Sequence, residues 1–546
     1  MTSLISKSKQ SGELLNHILG REELPAVIQR LDVGVLTKLI RHVGLEDSAE
    51  IVSLATTEQL KGVLDEDLWH SEGPGLDETF DPERFGLWLE ILLESGSDFA
   101  VRKVRALDED LLTLGLCRLV WVVDLHNPSR RLNDERQPGS GHALEEILDG
   151  ALHQAFGHYV SVSKDESSWD SVCTLMAALN ELDYDMLIRL LDRCSWISGE
   201  CMDDNGDLYH VLTAGETLEE DVSSERKERR ENKGFVTPMS ATVFLNQARS
   251  TPLTEIIAAE TMDPVSSAYF RAMEAETAPD LGSRKVEGLW ENGASEACNP
   301  KVLRLTQTLR KAVAPQAFQQ EMLAYDGAAP RNHPLPLAGA MDSINRTDPD
   351  LFSRRMKEIS YLSNTLISGC AYKGRTFQPK EAAEAAISVC NLGGEYLLES
   401  HVGPKEDPSV DPWTAILKVR HLVKLFQVGW KILFDGVVAH TAKELLEFLR
   451  HQKNEMPNSE QAYEMAKGII LLRFCISSGR PWEFKDQMDD LPPYLDDEAV
   501  AAIGDLLQAY PTLSEVICQK EEHQLFPFIW SQVHIGAISR FLTDAL

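Results

Sequence analysis

Apolar residues recur at helical spacing along most of the chain. Asp81-Pro82 has the composition of a helix start, with Asp as N-cap and Pro at the first helical position. Phe85, Trp88, Leu89 and Leu92 follow at i, i+3, i+4 and i+7, and Gly96 lies just past the end. A second helix is predicted from Asp108 through Leu111 to Val123. It is apolar nearly all round, which predicts a central, buried position and an acidic partner for Arg118.

Val172, Leu175, Met176 and Leu179 form one face, and Leu187, Leu190, Leu191 and Cys194 repeat the spacing after a break at Leu182-Asp183. That is the pattern of a helical hairpin. Asp411-Pro412 opens a longer run reaching about Arg450, with Ile416, Val419, Val423, Phe426, Trp430 and Leu433 on one side. Gly429 and Gly436 are expected to break or kink it. A last helix is expected from about Gln524 to Leu542. Strand signals are few, and Tyr159 to Ser163 is the best of them. The fold class predicted is all-α, multi-helical and without a substantial sheet.

A degenerate pattern, Leu-Asp-x-x-x-apolar, begins at Leu31, Leu64, Leu107 and Leu182. Two copies nearly coincide, LDEDLW at 64–69 and LDEDLL at 107–112. The expected meaning is a helix start: Leu as staple, Asp as cap, and further acids at the positive end of the helix dipole. The spacing predicts repeat-like helical hairpins in the N-terminal part.

Polar, Pro- and Gly-containing segments at Asn127–Gly141, Asp326–Gly339 and His401–Pro412 mark expected boundaries. They divide the chain into helical regions at 1–126, 142–325 and 340–546. The mixed-charge run Glu216–Lys233 reads as a solvated helix with Glu225–Arg229 and Lys227–Glu231 as i,i+4 pairs.

Composition narrows the function classes. The 546 residues include 53 Lys and Arg against 86 Asp and Glu, a formal net charge of −33. That charge repels phosphate backbones and anionic lipid surfaces, so neither nucleic acid nor a membrane is expected as partner. No stretch of about 18 uncharged apolar residues exists for a membrane span, and Met1–Gln10 carries Lys7 and Lys9 without the apolar region of a secretory signal. Nine scattered cysteines without C-x-x-C predict buried free thiols in a reducing cytoplasm.

Three features taken together carry a family resemblance: TTEQLKGVLDEDLW at 56–69; LDEDLL at 107–112 running into LVWVVD at 119–124; and Arg226, Arg230, Gly234 and Phe235 followed by a helix with Ala241 and Phe244. The chain resembles an uncharacterised family of bacterial soluble proteins of unknown function. The resemblance implies a bacterial origin and a helical fold, and no activity. More remotely, LPAVIQRLDVGVLTKLI at 24–40 and the 55–67 segment resemble the acidic helical superhelix of some magnesium transporters and flagellar switch proteins. Function does not follow from such a likeness.

Chemical motifs are sparse. There is no G-x-x-x-x-G-K-[ST], no G-x-G-x-x-G after a strand, no G-x-S-x-G elbow and no H-E-x-x-H. His153 and His158 are five apart, about 500° around a helix, which separates them on its surface and argues against shared metal ligation. Asp203–Asp207 fails the register of a calcium loop and reads as a turn. The acids at 65–67 and 108–110 read as helix capping rather than a metal site, and Trp69, Trp88 and Trp121 as core. No catalytic residue, cofactor or metal is expected. Arg226 and Arg230, one helical turn apart, are the candidate anion-binding residues, against the plainer reading of solvated or ion-paired side chains. The functional expectation is a non-enzymatic cytoplasmic protein-interaction or scaffold protein. The alternative is an enzyme or small-ligand sensor whose site is assembled from residues distant in sequence, recognisable by a concave pocket with convergent polar groups.

Overall fold

The computed structural model describes residues 24–126, 151–164, 166–200, 213–277, 335–400, 411–455, 460–487, 495–517 and 527–546. The turn at Asp203–Asp207, the segment Asn127–Gly141, most of Asp326–Gly339 and His401–Pro412, the first residues of the helix expected from Gln524, and Cys201, Cys298 and Cys518 lie outside them. The architecture is mostly helical, with small antiparallel sheets. It divides into two compact units. The described residues of the first fall within Met1–His70 and Glu78–Glu228, and those of the second within Ser71–Asp77, Arg229–Asp280 and Tyr325–Leu546.

The first unit begins with α1 (Leu24–Ile28), α2 (Val33–Val43), α3 (Ala49–Leu54) and α4 (Thr57–Asp67). A short β1–β2 pair (Trp69–His70, Thr79–Phe80) precedes α5 (Pro82–Glu94), α6 (Ser97–Val104) and α7 (Glu109–Leu119). Asp81 caps α5 as expected, accepting from the Arg84 amide at 2.9 Å. Leu36, Leu60, Trp88, Leu112, Met176 and Leu187 are buried in one continuous core.

The helix expected from Asp108 to Val123 stops at Leu119. Val120–Asp124 is instead strand β3, in a three-stranded sheet with β4 (His153–Phe156) and β5 (Tyr159–Ser163) in the order β3-β5-β4. Valines and Trp121 suit an extended backbone, and β5 supplies the ladder, with Trp121 opposite Val162. Arg118 has its acidic partner, Glu219, but its side chain is 43% exposed rather than buried. His153 and His158 are not on a helix: β4 and β5 join through a two-residue turn at Gly157-His158, with Gly157 at φ 61°. The expected helical hairpin is α8 (Trp169–Leu182) with α9 (Tyr184–Glu200), and Asp183 accepts from the Met186 amide at 3.2 Å. The charged helix α10 (Ala214–Glu231) belongs to this unit through Glu228.

One copy of the Leu-Asp pattern reverses its expected meaning. Leu64-Asp65-Glu66-Asp67 forms the end of α4, not a helix start. That helix is opened by a capping box in which Thr56 and Gln59 satisfy each other's amides.

The second unit contains α11 (Pro238–Ser250), α12 (Leu253–Ala258), α13 (Pro264–Thr277), α14 (Pro336–Thr347) and α15 (Pro349–Gly369). A β6–β7 hairpin (Ala371–Tyr372, Arg375–Thr376) leads to α16 (Pro379–Glu399). The long run expected from Asp411-Pro412 to about Arg450 is divided into α17 (Pro412–Val419), α18 (Leu422–Leu433), a π-helical turn at Phe434–Ala439 and α19 (His440–Glu455). The first break is held by a buried ion pair. Arg355 donates to the Leu417 carbonyl at 2.8 Å, its partner Glu358 accepts from the Leu422 amide at 2.6 Å, and the two are joined at 2.6 Å. The π turn encloses Gly436, whereas Gly429 lies within α18 and does not break it. The unit is completed by α20 (Glu460–Ser477), a 3-10 helix at Pro481–Gln487, α21 (Asp497–Leu506) and α22 (Gln532–Ala545).

Candidate functional site

The sequence-selected acids and arginines are engaged with the protein itself. Asp67, at the end of α4, accepts from Arg84 Nε at 2.7 Å and Trp88 Nε1 at 2.9 Å, with Arg41 at 3.5 Å. Burial pushes its pKa up, but these hydrogen bonds and the Arg84 and Arg41 charges outweigh burial and hold it below the ordinary 3.8. Asp108 faces Lys61 at 3.6 Å, Glu109 faces Arg189 at 2.6 Å, and Asp110 pairs with Arg193.

Arg226 is 1% exposed. It donates to the Asp65 carbonyl and to the Glu78 carboxylate, both at 2.5 Å, and lies 5.0 Å from the Trp69 ring. The anion on this guanidinium is Glu78. Arg230 belongs to the second unit and stacks on Phe235 at 4.6 Å.

A different constellation opens in the second unit, a cleft of about 520 Å³. Helix α11 supplies Thr242, Leu245, Asn246 and Arg249 at i, i+3, i+4 and i+7, so one helical face lines it. Thr237 caps that helix, accepting from the Ser240 amide, and Pro238 stands at its first position. The opposing walls come from Pro74–Leu76, Gly369–Ala371, Trp430, the 480–485 segment and Leu507–Ala509. Gly75 fits because it has φ 82° and no Cβ; a Cβ there would stand 3.2 Å from Thr242 Oγ1. That hydroxyl oxygen is buried and has no hydrogen-bond partner among the described residues.

Arg249 is the electrostatic centre of the cleft. Its guanidinium lies 5.0 Å from the Phe434 ring and 4.9 Å from the Trp482 ring, and donates to Asn246 Oδ1 at 2.8 Å. Arg480 is answered by Glu483 at 3.2 Å, and Asp505 lies close enough to feel the charge of Lys485. Among the described residues no carboxylate pairs with Arg249. Burial first, and then the Arg480 charge, pull its pKa below the ordinary arginine value, the mark of a cation without compensation. A half-buried guanidinium against two aromatic rings, without a carboxylate partner among the described residues, can receive an oxyanion. Cys370 also lines the cleft, but burial pushes its thiol up to about 12, so at neutral pH it is not the thiolate that attacks.

None of these residues stands out in the sequence. The only local signal for them is the four-residue spacing on α11; the remaining walls are joined by tertiary packing.

No curated protein and no solved structure matches the chain. Residues 5–205 match a family described as a family of unknown function (DUF6178), and over that stretch the chain fits an uncharacterised family.

Proposed function

We propose that this protein is a non-enzymatic receptor for a small anionic molecule, bound in the cleft of the second unit. One observation carries the reading: Arg249 is held half-buried against Phe434 and Trp482 with no carboxylate partner among the described residues. A cation placed so is costly unless something negative joins it. The volume of about 520 Å³ lies within the range of small-molecule sites. The high pKa of Cys370 favours binding over covalent catalysis. We place the protein in a cytoplasm; free thiols at its six described cysteines fit a reducing compartment.

The test is thermal unfolding in graded inorganic phosphate, sulfate and acetate, with chloride at equal ionic strength as control. Stabilisation that saturates with at least one oxyanion, and that is lost in Arg249→Gln, is the expected result. An unchanged midpoint with all three, and with phenyl phosphate and benzoate as well, overturns the reading.

A second reading, a protein-interaction surface, has its own support. Tyr463, Ile470 and Phe474 on α20 are 64%, 69% and 64% exposed, a spacing that puts three large apolar side chains on one side of a helix.

A further inference from the structure

Resting on the anion-receptor reading, we infer that the ligand is an organic anion, an oxyanion head on an apolar body, rather than a free inorganic ion. The cleft combines two kinds of lining. Arg249, with Asn246, offers donors and a positive charge. Leu76, Leu507 and Ala509 give the same space apolar surface, beside the charged side chains of Arg480, Glu483 and Lys485. An inorganic oxyanion has only a few heavy atoms, whereas a cleft of about 520 Å³ has room for many times that. At roughly 30 Å³ per water, a bare phosphate leaves most of the space wet against apolar side chains. An apolar body displaces that water, and its burial adds affinity in proportion to area.

Leu76 points to the same conclusion. It lines the cleft while 53% of it remains exposed, an apolar side chain at the rim with surface left to cover. A lining that joins apolar surface to charged and polar groups can hold a ligand by its apolar part and orient it by its polar part.

The probes are phenyl phosphate, benzoate, inorganic phosphate and acetate, titrated by calorimetry into the full-length chain. The phenyl-bearing member of each pair is expected to bind at least about tenfold tighter than its bare counterpart. The phosphate and carboxylate pairs distinguish the two head groups. Leu76→Ser is expected to reduce that advantage, and its exposure keeps folding out of question. Ala509→Trp, which fills the apolar wall, is expected to act in the same direction. If phosphate or acetate binds and its phenyl counterpart binds no tighter, the inference fails and the receptor reading stands. If none of the four binds, the receptor reading itself fails.

Discussion

Gly393 on α16 and Gly429 on α18 face each other where the two helices cross. A Cβ at Gly393 would stand 2.0 Å from the Leu425 carbonyl oxygen, and one at Gly429 would stand 1.9 Å from that of Val389. Both obstacles are backbone, which cannot rotate away. Gly393→Ala or Gly429→Ala is therefore expected to destabilise the second unit by about 3 kcal/mol, despite the better helix propensity of alanine. Urea unfolding monitored by circular dichroism checks this, and a neutral or stabilising alanine would contradict the close crossing.

Arg226→Ala removes a buried guanidinium together with its hydrogen bonds to the Glu78 carboxylate and the Asp65 carbonyl. The expected cost is about 3–5 kcal/mol. Arg226→Lys is expected to recover only part of it, because one ammonium does not reproduce the fork that reaches both groups. Equilibrium denaturation of both variants measures this, and a cost below 1 kcal/mol for alanine would remove Arg226 from the framework of the fold.

Asp67 makes stability depend on acid. Its folded pKa lies below the ordinary 3.8, so its contribution is complete above that value and is lost as pH falls through the folded value. Asp67→Asn is expected to lower stability by about 2–3 kcal/mol at pH 7. The gap to the unmodified chain should close at pH values below 3.8. Denaturant titrations across that range test the sign; a gap that widened in acid would contradict it.

How much of this was legible in the sequence depends on where the deciding contacts lie. Asp81-Pro82, Asp411-Pro412 and the break at Leu182-Asp183 are local cap chemistry, and the structure keeps all three. Tyr159–Ser163 was readable as a strand from its own alternation. Val120–Asp124 was not, because an all-apolar run suits a buried helix or a buried strand, and the choice is made by β5, which pairs with it from more than 30 residues away. The two LDED strings occupy opposite helix ends because Thr56 and Gln59, upstream of the first, already open its helix. The candidate site was least legible: Arg226 looked available because its partners, Asp65 and Glu78, are far along the chain. The cleft draws its walls from residues between Pro74 and Ala509, and only the α11 face has a readable period.

Cys370 provides a check on the non-enzymatic reading. Burial holds its thiol at about 12, against an ordinary 9.0, so its thiolate fraction near neutral pH falls about a thousandfold. Iodoacetamide labelling mapped by mass spectrometry is expected to miss Cys370 in the folded protein and to find it after urea unfolding. Labelling within minutes under native conditions would mean that the cleft holds a reactive nucleophile.

The central claim is that Arg249, and not the arginine pair that stood out in the sequence, receives the anion. Calorimetric titration of phenyl phosphate into the full-length chain, Arg249→Gln and Arg230→Gln tests it most directly. A loss of about 10- to 100-fold in affinity is expected for Arg249→Gln, and an affinity within about twofold of the unmodified chain for Arg230→Gln. Binding that survives Arg249→Gln, or that disappears in Arg230→Gln, would contradict it.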